Sequence, residues 1–189
     1  MKDAQVELQE AIAAESEAHR LLLRGERERA RPRLSEASEH YRRSWELAPP
    51  TAYGRLVGMM KAAILAGAAT DAARYVRREL AGATGSATAA YALALAALAQ
   101  GEDAEALESA EAMRGDSEAF DRAAAAIAAI ARRDGERYAA AIEAIVRDFE
   151  ARSEHLTGVA IADTALCLEL LADERGVASG INSPLVPRP

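Results

Sequence analysis

At 189 residues, half of them apolar, the chain is long enough to bury one core without disulfide or metal staples. Its formal charge of -7 argues against a general affinity for nucleic acid, which needs a basic surface. Aromatic residues reach only 4% and there is a single cysteine, so the core must form by close helix approach, with no internal disulfide.

Alanine, leucine, glutamate and arginine fill window after window, with no sustained alternation of β-branched residues, and this predicts an all-α fold of about nine helices. Arginine in place of nearly all lysine is the composition expected of a GC-rich, bacterial genome. The first predicted helix, 3–24, is interrupted by acids and lacks the continuous apolar region of a signal peptide. No later stretch approaches a charge-free membrane span, so a cytoplasmic protein with no membrane association is expected. The second helix, 27–47, contains Pro32, which predicts a kink or a later start, and Pro49 and Pro50 end it. Helices follow over 51–66, 70–81, 87–100 and 103–114. Gly115 and Asp116 then read as a C-terminal glycine handing over to an N-cap carboxylate. Further helices are predicted over 117–133 and 136–152, with buried stripes Phe120, Ile127, Ile130 and Tyr138, Ile142, Ile145, Phe149. The last helix, 155–174, is apolar nearly all round and is placed centrally. The tail, 176–189, is too rich in Gly and Pro to be helical and is either disordered or extended against the body, with Leu185 and Val186 as its only anchors. These boundaries predict one helical domain over 1–175, made of a longer N-terminal pair to residue 50, a repeat region over 51–152 and a C-terminal helix over 153–175.

Gly67, Gly101 and Gly135 are spaced by 34 residues, each at a predicted turn, and Ala72, Ala106 and Ala140 stand five residues after them. Over 53–152 this pattern resembles the tetratricopeptide repeat, a helix-turn-helix unit of that length. Seven residues before each glycine stand Met60, Ala94 and Ala128, so two of three are small. The family's large aromatic near the start of each unit is replaced by Leu56, Ala90 and Ala124, and its closing proline by Thr84, Glu118 and Arg152. The resemblance implies stacked antiparallel pairs in a right-handed solenoid, with the first helix of each pair on a concave surface. Lys61, Tyr91, Arg122, Arg132 and Arg133 would then line a basic groove suited to an acidic or carboxylate-bearing peptide. Separately, residues 154–176 and the following SPLVP resemble the C-terminal helix and extended tail of all-helical bacterial immunity proteins, which implies neutralisation of a cognate toxin.

The three histidines, His19, His40 and His155, are far apart, and the only nearby pairing, Glu15 with His19 at four residues, reads as an exposed helix pair. No metal site and no cofactor are expected. Cys167 has no basic neighbour in sequence to activate it, no nucleophile or phosphate-loop motif is present, and a catalytic role is not expected. The basic cluster Arg20, Arg24, Arg27, Arg29, Arg31 and Arg33 is interleaved with acids and reads as a solvated face. Asp163 interrupts the apolar stripe Val159, Leu166, Leu170, with His155 two turns earlier. Either it forms a buried ion pair or hydrogen bond locking the last helix to a neighbour, or His155 and Asp163 form a polar site completed by Arg147 or Arg152. The leading expectation is a noncatalytic module binding a protein or peptide. An immunity protein and a small-molecule-binding bundle centred on His155 and Asp163 are the alternatives.

Overall fold

Four helices begin where a short polar side chain accepts from backbone N–H groups that have no intrahelical partner. Asp3 Oδ1 accepts from Gln5 and Val6 (2.9 and 2.8 Å), Ser86 Oγ from Ala89 (3.2 Å), Ser117 Oγ from Phe120 (3.3 Å) and Asp134 Oδ1 from Arg137 (3.0 Å). The cap of the seventh helix is thus Ser117, one residue beyond the expected Asp116. The computed structural model describes residues 3–83 and 85–187, and among them nine α-helices and no strand. They are α1 (Ala4–Leu23), α2 (Arg27–Leu47), α3 (Gly54–Ala66), α4 (Ala69–Glu79), α5 (Ala87–Gln100), α6 (Asp103–Met113), α7 (Glu118–Ala131), α8 (Gly135–Glu150) and α9 (Asp163–Asp173). No described helix is long and apolar enough to cross a membrane.

From α1 to α8 each helix packs on the next, and α3, α5 and α7 also touch in a row. α5 is buried on every side, with Tyr91, Leu95, Leu98 and six alanines between Ala89 and Ala97 inside the core. Its methyl side chains let α3, α4, α6 and α7 all approach it. α9 returns across this row and touches α3, α7 and α8. Its far end is tied down by Arg175, which donates to Leu98 O (2.8 Å) and Asp103 Oδ1 (2.7 Å).

The even glycine spacing is not an even spacing of turns. Gly67 and Gly101 terminate α3 and α5 in the left-handed conformation, as a chain-reversing C-cap needs. After α7 that role falls to Arg133 (φ 56°), 32 residues beyond Gly101, while Gly135 is already the first residue of α8. Five positions after Gly101 stands the buried Ala106; five after Arg133 stands the buried Tyr138, and Ala140 is exposed.

Two further expectations are corrected. α2 begins at Arg27 and stays helical through the exposed Pro32, so the later start does not occur even though the proline leaves the Glu28 carbonyl without its helical donor. α9 starts eight residues later than its apolar pattern predicts. Residues 155–162 instead form a non-helical strap that turns at Gly158 (φ 67°) and buries Val159, Ile161 and Ala162. The described tail packs on this strap and turns back over Ser183–Val186, where Val186 N donates to Ser183 O (3.1 Å). Ala162 N donates to Leu185 O (2.8 Å), and Val186 is buried.

α2 and α3 meet without clearance at Gly58, where an added Cβ would lie 2.8 Å from the Tyr41 ring. Alanine in a helix interior ordinarily stabilises by up to about 1 kcal/mol over glycine. Here Gly58→Ala should instead lower the unfolding free energy by about 1–3 kcal/mol by displacing a buried ring. Denaturant titration of the two proteins checks the sign.

Candidate functional site

On α1 the residues Ala11, Glu15, Ala18 and Leu22 recur at four, three and four positions, which puts one carboxylate in an otherwise apolar stripe. Glu15 is 2% exposed and His19, one turn on, 1% exposed. The expectation of an exposed pair is therefore wrong: α2 covers this face on one side and the strap covers it on the other. Tyr41 of α2 donates its hydroxyl hydrogen bond to Glu15 Oε2 (2.8 Å). From the strap, the Thr157 hydroxyl shares a hydrogen bond with His19 Nδ1 (3.0 Å), and Thr157 O accepts from Ser16 Oγ (2.8 Å).

Opposite them stands an ion pair between Lys61 of α3 and Asp163, the first residue of α9, at 15% and 16% side-chain exposure. Asp163 Oδ1 also accepts from Thr164 N (2.8 Å), and Cys167 Sγ donates to the Lys61 carbonyl (3.4 Å). Asp163 at a helix N-terminus is favoured by the macrodipole, so the position that initiates α9 also docks it. The pair ties the start of α9 to α3, while Arg147 and Arg152, expected beside Asp163 only in a polar site with His155, pair instead with Glu143 and Asp148.

Burial works against every charge here, and the pair resolves the conflict by mutual attraction. Desolvation pushes Asp163 up, yet the adjacent Lys61 ammonium outweighs it and holds the carboxyl below its ordinary range. Lys61 is likewise held above its ordinary range despite burial. Glu15 has no such partner. Burial, reinforced by the Asp163 charge, pushes its carboxyl up to about 7, with Lys61 and Tyr41 opposing. Burial lowers His19 to about 4, so its imidazole is neutral at pH 7. Burial also raises the Cys167 thiol above its ordinary range, which keeps it protonated and inert.

Glu15, Tyr41, Lys61 and Asp163 line one end of a pocket of about 650 Å³ that opens to solvent. Leu8, Ile12, Val57 and Leu156 form its apolar wall. Arg55 also lines it: its Nε donates to Ser44 Oγ (2.6 Å), and no carboxylate among the described residues pairs with it. A larger pocket of about 860 Å³ lies between α1, α3, α9 and the tail; of its two carboxylates, Glu169 and Asp173, the first is engaged by Ser179 and Gly180.

The groove candidates do not share an open surface. Lys61 is paired with Asp163, and Tyr91 is buried, edge-on to Phe120. Arg122 pairs with Asp148 (2.7 Å) and Glu118, while Arg132 and Arg133 lie exposed at the turn before α8. α9 packs against α3 and α7, two of the three helices that the resemblance would set along a concave surface. His155 is not in the polar cluster either. It stacks on Phe149 (centroids 6.2 Å apart), because the strap is not helical and the register that aligned it with Asp163 does not exist there. Much of the basic cluster is neutralised: Arg29 pairs with Glu26, Arg31 with Glu28, and Arg33 with Glu17 and Glu36.

Comparison with protein-family models, curated proteins and solved structures finds no match to this chain. The reading of the site therefore rests on its side chains. Sequence reasoning missed Tyr41 and took Glu15 and His19 for an exposed pair. The signal for Glu15 was its place in the α1 stripe; the signal for Lys61 as a special cation was that lysine occurs elsewhere only at Lys2.

The shifts on Glu15 and His19 give opposite pH slopes. Glu15 holds its proton more tightly when folded, so its stabilisation is complete below pH 4.5 and is lost as pH rises to about 7. His19 resists protonation when folded, so its contribution is complete above pH 6.5 and is lost as pH falls to about 4. Between these limits the two cancel. Glu15→Gln should remove the first slope alone, so the stability difference between variant and wild type should change by on the order of 3 kcal/mol in the variant's favour from pH 4.5 to 7. Unfolding free energies measured across that range check this, and a difference independent of pH would contradict it.

Proposed function

We propose that this protein binds a small amphipathic organic acid in the pocket between α1, α2, α3 and the start of α9. The observation that carries the reading is the opening of a buried charged cluster onto a solvent-connected cavity of ligand size, about 650 Å³. Arg55, with no carboxylate partner among the described residues, suits a carboxylate on the ligand. Leu8, Ile12, Val57 and Leu156 suit a hydrocarbon body, and Glu15, Lys61 and Asp163 suit a hydroxyl or carbonyl at its other end. Leu156 is 76% exposed, a large apolar side chain at the rim that a ligand would cover. A peptide-binding scaffold acting through the inner helix row is less well supported, because α9 packs against two helices of that row.

Thermal-shift and calorimetric titration with a panel of short-chain and aromatic carboxylic acids, each beside its neutral amide, tests the reading. Acids should raise the melting temperature saturably and the amides should not. Arg55→Ala should weaken the best acid by about tenfold or more, consistent with loss of a charge-assisted hydrogen bond. Val57→Trp should block it sterically. Binding of acid and amide alike, or binding indifferent to both variants, would reject the proposal.

A further inference from the structure

The polar cluster brings one imidazole and two carboxylates, side chains that can ligate a metal, close together. One carboxylate oxygen of Glu15, one ring nitrogen of His19 and one carboxylate oxygen of Asp163 lie within 4.8 Å of one another. His19 Nε2 is 3.9 Å from Glu15 Oε1, beyond hydrogen-bond reach, and has no hydrogen-bond partner among the described residues although it is buried. A buried imidazole nitrogen without a partner is costly unless something occupies its lone pair. We propose that Glu15, His19 and Asp163 bind one divalent transition-metal ion of the zinc class, with its open coordination position facing the pocket.

The surroundings are those of a ligand set held from behind. The second ring nitrogen of His19 is engaged by Thr157, which fixes the ring and leaves Nε2 as the donor nitrogen. The second oxygen of Glu15 accepts from Tyr41, and Asp163 is oriented by Thr164 N. Glu15 and His19 stand one turn apart on one helix, the spacing that lets two side chains converge on one ion. Metal bonds of about 2.0–2.2 Å require donor atoms roughly 3.3–3.6 Å apart, so the three groups must close by about 1 Å. One nitrogen and two oxygens favour zinc-like ions over calcium, which takes oxygens alone. The pocket that reaches Glu15 and Asp163 supplies the route in.

Lys61 is the built-in rival. Its ammonium pairs with Asp163, so an arriving cation must share or displace it. Removing the positive charge at position 61 should therefore strengthen cation binding. The ion site stands on side-chain geometry and does not depend on the organic-acid reading, and the metal-only titration leaves that reading untouched.

The test uses the full chain, stripped with chelator and titrated with Zn²⁺ by calorimetry and with Co²⁺ by visible absorption. Wild type should take up one ion per chain with a low-coordinate cobalt spectrum. Lys61→Met should tighten binding by about tenfold or more, and Thr157→Val should weaken it by about tenfold as a support behind the ligand. His19→Ala should lose the cobalt spectrum, with its folding verified by circular dichroism. As a readout needing no variant, Co²⁺ should shift or broaden the His19 ring resonances ahead of those of His40 and His155. Absence of binding by both wild type and Lys61→Met, or paramagnetic effects confined to other histidines, would overturn the proposal.

Discussion

The ion pair between Lys61 and Asp163 is the contact on which the rest of the arrangement depends. It joins the middle of α3 to the first residue of α9, two elements about a hundred residues apart, and at 15% and 16% exposure neither charge is well solvated. Removing one partner of such a pair costs about 3–5 kcal/mol, because the other is left buried and uncompensated. Its structural effect is positional. With Arg175 holding the other end of α9 to α5 and α6, the helix is pinned at both ends across the row of α3, α5 and α7.

That placement determines what α1 can carry. The strap leading to α9 lies on the Glu15 and His19 face, supplying Thr157 to His19 and closing the cluster from the side opposite Tyr41. Two carboxylates then share a buried space with one ammonium. Asp163, in direct contact with Lys61, keeps its charge, while Glu15 is driven to hold a proton up to about 7. Burial keeps His19 neutral, and its Nε2 has no hydrogen-bond partner among the described residues. Burial, with one ammonium for two carboxylates, thus produces a protonatable acid and a donor nitrogen next to a cavity.

The helices were legible because they depend on local chemistry: alanine-rich windows, glycine ends and polar caps specify α5 to the residue. The site was less legible because it depends on which faces meet. Glu15 and His19 were visible as a pair, but only the packing of α2 and the strap on α1 tells that the pair is buried. His155 was misplaced because apolar spacing continued through 155–162 while Gly158 and the docking of Thr157 held that stretch out of helix. The glycine period misled for a related reason. Arg133 can adopt the left-handed turn that glycine favours, so Gly135 marks the start of α8 and not the end of α7. Lys61 and Asp163 were both singled out, but for different sites, since no sequence spacing links α3 to α9.

A double-mutant cycle across the ion pair tests this account most directly. Unfolding free energies of wild type, Lys61→Met, Asp163→Asn and the double variant should show that the two substitutions together cost less than the sum of their separate costs, with a coupling on the order of 2 kcal/mol. A coupling within about 0.5 kcal/mol of zero, the range seen for independent sites, would contradict the claim that this pair holds α9 over the core and assembles the site beneath it.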